Sequence, residues 1–312
     1  MNRATLLAGA AWAGLAILCW APLFSVAKRT LPYIDAYALG TVRYGIGVLL
    51  FVLLLAAVEG REALRFDGRL AAATLFGFIG ITGFNLFVWI GLALTRPEHA
   101  SIIMSLQTPL TALTVWVARG QRPAGFTLGC VALAIAGVFL VVTKGSPAGA
   151  LANFGEGLLG DVIVFGGALC WITYTFSAAR FTQWSPLRFT VLTCLPGAVG
   201  LLIANVIAIA GGWAAIPSLA VVGSVWLQIV YFSVGTVVLG VLAFNNAARR
   251  LGPLNTMLML NLIPVGVFAI EAALGRSFAA IELAGAALVV CALVANNLYL
   301  RRAGAAGASS SR

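Results

Sequence analysis

One apolar segment of the chain carries polar and aromatic side chains at helical spacing. Phe78, Thr82, Asn85 and Trp89 follow one another at i, i+4, i+7 and i+11, so a straight α-helix would place all four on one side. An amide among apolar neighbours is stable only if it bonds to a partner or to water. Either Asn85 hydrogen-bonds a ligand while the two rings form a wall, or Asn85 bonds a neighbouring helix and the rings pack.

The following segment offers hydroxyls, an amide and an imidazole. Ser101, Ser105 and Thr108 share a helical face, with Gln107 beside them. Small hydroxyl residues also join packed helices, so packing is the favoured role of the serines, whereas the bulkier Gln107 is favoured as a ligand contact. His99 lies where this helix should begin, and helix N-termini attract anions. It either contacts a ligand, senses pH or simply faces water.

Aromatic pairs recur in other segments. Trp20 with Phe24, and Trp171 with Tyr174, each share a helical face. They either stack on an apolar or aromatic ligand or pack in the core. Arg43 lies about two turns inside its segment, where a charge is either functional or extends its side chain to the segment's end. The candidate set is completed by Tyr231, Asn245 and Asn255.

The elements that position these residues follow from composition. Of 312 residues, 62% are hydrophobic and 9% are charged, so lipid rather than water is the solvent that explains the sequence. The net charge of +10 is spread in pairs between apolar runs, which argues against nucleic acid as a partner. We predict an all-α integral membrane protein, because helices satisfy their own backbone groups in lipid.

Ten apolar segments are long enough to cross a bilayer, which requires about 20 residues. We predict membrane helices over 5–27, 36–58, 70–94, 98–118, 124–143, 158–180, 186–210, 224–248, 253–273 and 279–300. The GxxxG pair Gly125 and Gly129, and the glycines Gly77, Gly80 and Gly83, are predicted to let helices approach closely. The Ala, Gly and Ser tail over 303–312 is predicted to be disordered.

Lysines and arginines are distributed unequally between the two ends of these segments. With the N-terminus in the cytoplasm, five lie outside: Lys28, Arg29, Arg96, Lys144 and Arg276. Thirteen lie inside: Arg3, Arg61, Arg65, Arg69, Arg119, Arg122, Arg180, Arg188, Arg249, Arg250, Arg301, Arg302 and Arg312. Cytoplasmic links carry the excess of positive charge, so both termini are expected in the cytoplasm, with the chain in a bacterial-type inner membrane.

The acidic residues bear on coupling and catalysis. All nine lie in links or near segment ends: Asp35, Glu59, Glu62, Asp67, Glu98, Glu156, Asp161, Glu271 and Glu282. The usual proton relay, a carboxylate in the middle of the membrane, is missing, which favours flux driven by the solute gradient. One histidine and five scattered cysteines indicate no metal site. We expect no cofactor, and no enzymatic activity because no catalytic pair can be assembled.

The chain also repeats itself. Shifting 76–139 forward by 155 positions superimposes it on 231–294, so that Gly80 falls on Gly235 and Pro109 on Pro264. We predict a first five-helix repeat over 1–150 and a second over 151–302. Five is an odd number, so the copies are expected to be inverted in the membrane. The two prolines each remove a backbone hydrogen bond and are candidate hinges.

The repeated pattern resembles the drug/metabolite transporter superfamily, and specifically its EamA-domain branch. The residues that carry the resemblance are Arg43-Tyr44, the Met-x4-Pro spacing at Met104/Pro109 and Met259/Pro264, and the run from Ala93 to Ser101. Within the family, the aromatic-rich segments look most like a YddG-type amino-acid exporter. The resemblance implies a central cavity lined by segments 1, 3, 4, 6, 8 and 9.

A transporter that works by alternating access is the leading hypothesis. We expect a monomer that exports aromatic or large neutral amino acids, or related small metabolites. Broad efflux of drugs and other lipophilic compounds is the alternative, although the buried glutamate that a cationic drug would need is missing. Exchange of phosphorylated metabolites would need several buried cations, and only Arg43 is available. A receptor or scaffold gives no reason for an inverted repeat.

Overall fold

The computed structural model describes residues 3–120, 122–146, 157–251, 256 and 259–310, and every regular element within them is helical. Within these residues, eight helices are long and apolar enough to cross a membrane: Thr5–Thr30, Ala36–Glu59, Leu70–Leu94, Gly125–Thr143, Leu159–Arg180, Pro186–Ala210, Trp226–Leu251 and Ala280–Leu300. A shorter apolar helix covers Leu262–Ala273. The prediction of an all-helical membrane protein is confirmed for the described chain, whereas the count of ten spanning helices is not.

We number the α-helices in chain order. They are α1 Arg3–Trp20, α2 Leu23–Thr30, α3 Ala36–Glu59, α4 Leu70–Gly77, α5 Phe84–Leu94, α6 Pro97–Ser105, α7 Gln107–Arg119, α8 Gly125–Thr143, α9 Leu159–Ser177, α10 Pro186–Ala210, α11 Leu219–Ser224, α12 Trp226–Val230, α13 Gly240–Leu251, α14 Leu262–Ala273 and α15 Ala280–Ser310. Two π-helical segments, Phe78–Gly83 and Tyr231–Leu239, join α4 to α5 and α12 to α13. In a π-helix the backbone bonds run from i to i+5.

Local sequence signals fix where two of the long helices begin. The Asp35 carboxylate accepts from the backbone N–H groups of Tyr37 and Ala38, both at 2.9 Å, at the start of α3. The Ser185 hydroxyl accepts from the Arg188 N–H at 3.0 Å at the start of α10. Each cap satisfies a donor that the first turn leaves unbonded and contributes about 1 kcal/mol.

The chain forms two compact units, of which the first contains Met1–Ser25, Arg96–Leu158 and Leu239–Arg312. Within it α1 packs against α13, α6 against α14, and α8 against α15. The α8–α15 pair touches backbone to backbone: a Cβ on Gly137 would lie 2.7 Å from the Gly285 carbonyl oxygen, and the converse distance is also 2.7 Å. The predicted contact at Gly125 and Gly129 is wrong, because a Cβ on either would meet nothing within 4 Å.

The second unit contains Val26–Thr95 and Leu159–Val238. Within it α3 packs against α10, and α5 against α9. The close approach predicted at Gly77 is present, because a Cβ there would collide with the Thr193 carbonyl oxygen of α10. Each unit combines segments from both predicted repeats. The predicted repeat boundary near residue 150 therefore does not separate the two compact units.

Irregular backbone occurs at positions that the repeat relates. Shifted by 155, the π segment Phe78–Gly83 falls inside Tyr231–Leu239. Leu106 separates α6 from α7 with φ −63 and ψ −13, and Asn261, 155 residues later, precedes α14 with φ −62 and ψ −10. These breaks lie three residues before the predicted kinks at Pro109 and Pro264. The single helix predicted over 98–118 is therefore two shorter helices, and the described part of 253–273 has a turn at Asn261.

The C-terminal tail differs from its prediction. Helix α15 continues to Ser310, so the described part of the tail is helical rather than disordered. Alanine has the highest helix propensity of any residue, and alanines make up much of this extension. The composition of the tail was interpreted as low complexity and therefore as disorder. The helix propensity of its alanines instead favours continuation of the preceding helix.

Candidate functional site

The predicted site residue Asn85 lies at the centre of a hydrogen-bonded group in the second unit. Its Oδ1 accepts from Arg43 Nη1 at 3.3 Å and from Trp89 Nε1 at 3.1 Å. Asn85 is 0% exposed, Trp89 1% and Arg43 5%, so Arg43 does not extend to the surface. The packing of α3 against α5 brings together this set, which we call the Arg43 group: Arg43, Asn85 and Trp89.

A π segment lies directly before α5 and takes part in the same network. The Asn85 Nδ2 donates to the Ile81 carbonyl at 2.7 Å, and Ile81 lies inside Phe78–Gly83. The side-chain amide thus bonds the backbone of the π segment while its oxygen receives two donors. Single π segments within α-helices occur frequently at functional sites.

The guanidinium of Arg43 is a buried positive charge among aromatic rings. Its Cζ lies 5.3 Å from the Tyr44 ring centroid and 5.1 Å from that of Trp89, within the range of cation–π attraction. Its Nε has no hydrogen-bond partner. Among the described residues, no carboxylate forms an ion pair with it. Buried charges are ordinarily paired, so this arginine is exceptional.

The predicted four-residue stripe is divided into two parts. Thr82 donates to the Gly197 carbonyl on α10 at 2.8 Å, and the Phe78 ring lies 3.2 Å from where a Cβ of Gly200 would be, also on α10. Asn85 instead bonds Arg43 on α3. A π segment has more residues per turn than an α-helix, so Phe78 and Thr82 no longer align with Asn85 and Trp89 as predicted. Phe78 is 38% exposed and does not join the Arg43 group.

A second aromatic cluster includes the predicted pair Trp171 and Tyr174. Their ring centroids are 5.5 Å apart, and Trp171 lies 5.0 Å from Phe84. The Tyr174 hydroxyl shares a 2.9 Å hydrogen bond with Thr193. A Cβ on Gly80 would collide with the Tyr174 ring, so this cluster packs directly on the π segment. Tyr231 is half-buried, and its ring centroid lies 5.3 Å from that of Phe232.

The candidates of the first unit are engaged locally. Ser101 donates to the Glu98 carbonyl at 2.9 Å and Ser105 to the Ile102 carbonyl at 2.6 Å, so both serines bond within their own helix. Gln107 Nε2 donates to the Met104 sulfur at 3.6 Å. The Trp20 ring centroid lies 6.0 Å from that of Phe244 on α13.

Other predicted residues are described only in part. Phe24, Pro109 and Pro264 are buried, and Asn245 is half-buried. The side chain of Thr108 and the whole of Asn255 lie outside the described residues.

Sequence analysis singled out His99, which is buried, but missed the cluster of charges around it in the first unit. We call this the Glu98 cluster: Arg96, Glu98, His99, Lys144, Arg276 and Glu282. Arg276 Nη2 lies 2.6 Å from Glu98 Oε1 and 3.5 Å from Glu282 Oε1. The shorter contact is an ion pair whose angles do not suit a hydrogen bond. Lys144 Nζ lies 3.7 Å from Glu282 Oε1, and Arg96 Nη1 lies 3.9 Å from the same oxygen. Glu98 is 0% and Glu282 2% exposed.

The Glu98 cluster also contains a potential set of metal ligands. Ligand atoms of Glu98, His99 and Glu282 lie within 4.8 Å of one another. However, the Arg276 guanidinium contacts both carboxylates and takes the place of a metal cation. Two further cations lie within 4 Å of Glu282. With three cations against two carboxylates, these charges favour an ion-pair cluster over a metal site.

The family assignment follows from a match that occurs twice. The model of the EamA-like transporter family matches residues 7–143 and again 158–298. The chain belongs to the EamA-like transporter family. The sequence repeat is thus two copies of one family unit, and the Arg43 group lies in a membrane transporter.

Individual relatives agree with this assignment. The uncharacterized transporter YrdR of Bacillus subtilis (strain 168) is 27% identical over 97% of this chain and 95% of its own length. YyaM, another uncharacterized transporter of that organism, is 28% identical over 89% of this chain and 90% of its own length. A solved crystal structure matches with a TM-score of 0.66 at 20% identity, over 97% of this chain and 99% of that one. The first two are similar transporters, and the third shows a shared fold.

Proposed function

We propose that this EamA-like transporter exports aromatic or large neutral amino acids, or related small metabolites, across a bacterial-type inner membrane. Transport proceeds by alternating access and is driven by the gradient of the substrate itself. The protein acts as a monomer with both termini in the cytoplasm.

The Arg43 group is the observation that carries this proposal. It combines a guanidinium, an amide and an indole in the buried interior of the second unit. Trp89 contacts Phe232 with ring centroids 6.1 Å apart, which extends the aromatic surroundings. A substrate that carries polar groups on its α-carbon and an apolar side chain would match a site that combines polar atoms with aromatic rings.

Packing within the units supports an inverted repeat and alternating access. Helix α1 of segment 1 packs against α13 of segment 8, while α9 of segment 6 packs against α5 of segment 3. The second pair is the first with the halves exchanged, as expected of two copies related by an axis in the membrane plane. The repeat-related breaks at Leu106 and Asn261 supply a candidate hinge near each mid-segment proline.

The alternative, broad efflux of lipophilic cations, is favoured less by the arrangement of charge. Such a substrate needs a carboxylate that is free to receive it. The buried Glu98 and Glu282 already share Arg276, and Asp161 accepts from the Thr95 hydroxyl at 2.5 Å. The exceptional buried charge is instead positive, at Arg43.

Flux into liposomes tests the proposed function. Asn85→Ala and Trp89→Ala should each impair uptake of phenylalanine or tryptophan, because each removes a hydrogen bond of the Arg43 group. Loss of one bond to a buried polar group costs about 1–3 kcal/mol, or roughly five- to a hundred-fold in apparent affinity. Leu133→Ala is the control, because Leu133 is 41% exposed on α8. Parental rates in both variants, with folded and inserted protein, would show that the site assignment is wrong.

The proposed orientation has its own test. Reporter fusions at the N-terminus and at the C-terminus should both report the cytoplasm, as the distribution of lysine and arginine predicts. A periplasmic signal from either end would overturn this topology.

A further inference from the structure

We infer that Arg43 receives the carboxylate of the substrate, and that the substrate class is apolar or aromatic monocarboxylates in which an ammonium group is not required. This inference rests on the proposed function and narrows it. Amino acids belong to the class because they carry a carboxylate, and their deaminated analogues belong to it equally. Amines that lack the carboxylate are excluded.

The first step is the charge balance of the second unit. Each of the five acidic residues in its sequence interacts with a group other than Arg43. Asp35 caps α3, Glu59 accepts a hydrogen bond from Ser185, and Asp161 accepts one from Thr95. Glu62 and Asp67 form ion pairs with Arg65 and Arg188. Arg43 therefore has no counter-ion among the described residues. Removal of an ion from water carries a penalty of several kcal/mol, which an incoming anion would offset.

The second step is the bonding capacity of the guanidinium. Arginine has five N–H donors in a planar fork that matches a carboxylate in bidentate geometry. In Arg43 the Nε lacks any acceptor, and the bond from Nη1 to the neutral Asn85 oxygen is long, at 3.3 Å. Charge-assisted bonds to a carboxylate are shorter and roughly twice as strong as neutral ones. A carboxylate would thus improve on the acceptor that Arg43 now has.

The third step concerns the rest of the substrate. The rings of Tyr44 and Trp89 lie beside the guanidinium, so an apolar side chain would lie against them. No carboxylate of the described residues is placed to receive an ammonium group there. An amine would also be repelled by Arg43 itself. The site thus selects for the carboxylate and offers an ammonium group no partner among the described residues.

The group is closed in this structure, since Arg43 is 5% exposed and Asn85 fully buried. Ligand access requires the opening step that alternating access supplies. The competing explanation is that Arg43 only braces α3 against α5 through Asn85 and the rings. The two explanations differ in what they predict for ligands and for an acid placed at position 85.

Thermal stabilisation of the purified protein measures binding without requiring transport. In the parent, 3-phenylpropionate and phenylalanine should both raise the unfolding midpoint saturably, whereas phenethylamine should not. Arg43→Gln should weaken binding of both carboxylates roughly 10- to 150-fold, and Arg43→Lys should retain part of it because it keeps the charge. Arg65→Gln is the matched control, because the Arg65 side chain is 72% exposed. A folded parent that does not bind 3-phenylpropionate, or that binds phenethylamine as well, overturns the inference.

Asn85→Asp tests the counter-ion argument directly. This nearly isosteric change puts a carboxylate where Arg43 now meets an amide. The variant should fold with a raised unfolding midpoint. It should also lose carboxylate binding more completely than Asn85→Ala, because the introduced carboxylate accepts from the N–H donors of Arg43. If Asn85→Asp binds 3-phenylpropionate as tightly as Asn85→Ala does, Arg43 is a brace and the inference is overturned.

Transport assays separate this inference from the proposed function. If phenylalanine is not moved in liposomes while 3-phenylpropionate still binds through Arg43, amino-acid export is wrong and carboxylate recognition stands. If phenylalanine is moved equally fast by the parent and by Arg43→Gln, export stands and the role of Arg43 is overturned.

Discussion

The Arg43 group and the Glu98 cluster are two ways of burying charge in one chain. In the Glu98 cluster, each buried carboxylate lies within 4 Å of at least one cation of the same unit. In the Arg43 group, a guanidinium that is 5% exposed has an amide and aromatic rings, and no carboxylate, as its partners among the described residues. The first arrangement is complete in itself and holds helices together. The second lacks an anion, and this difference is why we place substrate recognition at Arg43.

The largest effect should come from breaking the complete cluster. Glu98→Gln leaves Arg276 with Glu282 alone, and loss of one partner in a buried pair costs about 3 kcal/mol, the lower end of the usual range. Urea or thermal unfolding in detergent measures this loss. Glu62→Gln is the matched control: its side chain is 84% exposed in the pair with Arg65, where an ion pair is worth about 0–1 kcal/mol. Equal losses in the two variants would contradict the comparison.

The counterpart change at Arg43 should affect stability much less. Arg43→Gln removes a buried charge that has no internal counter-ion, so relief of desolvation offsets the lost bond to Asn85 and the cation–π contacts. We expect a free energy of unfolding within about 1 kcal/mol of the parent, accompanied by loss of transport. Urea or thermal unfolding in detergent measures this difference as well. A loss as large as that of Glu98→Gln would mean that Arg43 is a structural residue like those of the Glu98 cluster.

The smallest effect is expected in flux through variants of the remaining buried acids. Asp161, Glu271 and Glu282 are 5%, 6% and 2% exposed, yet they lie near helix ends, where a proton relay across the membrane is not expected. Asp161→Asn, Glu271→Gln and Glu282→Gln should keep gradient-driven flux per folded protein within about threefold, less than 1 kcal/mol. Glu98→Gln should behave likewise once flux is scaled to its folded fraction. Loss of flux in a folded variant would instead indicate proton coupling.

Helix positions were predictable because apolar runs and caps are local. The segments predicted over 36–58 and 186–210 correspond to Ala36–Glu59 and Pro186–Ala210. The π segments were not predicted, since α and π helices differ in hydrogen-bond register and not in composition. That omission explains the error in the Phe78 stripe, whose alignment assumed 3.6 residues per turn throughout.

The candidate site was predictable only as separate residues. Asn85 was singled out because an amide in an apolar segment needs a partner, and Arg43 because it is a charge in such a segment. Their mutual bond joins residues 42 positions apart, and nothing in a single sequence reports it. The Glu98 cluster was missed for the same reason: its charged residues lie far apart in the chain, in links or near segment ends. Its lysine and arginines were interpreted as signals of topology, and its acids only as evidence against a proton relay.

The contact of α8 with α15 limits how this chain can evolve. At Gly137 and Gly285 the two backbones touch, and a methyl group at either position would lie 2.7 Å from the opposite carbonyl oxygen. No single substitution there can be accommodated unless both helices shift, so the two positions are closed to gradual change. Gly129, on the same helix, faces open space and is free to vary. One helix thus carries, about two turns apart, a position that has no room for a side chain and a position that has room for one.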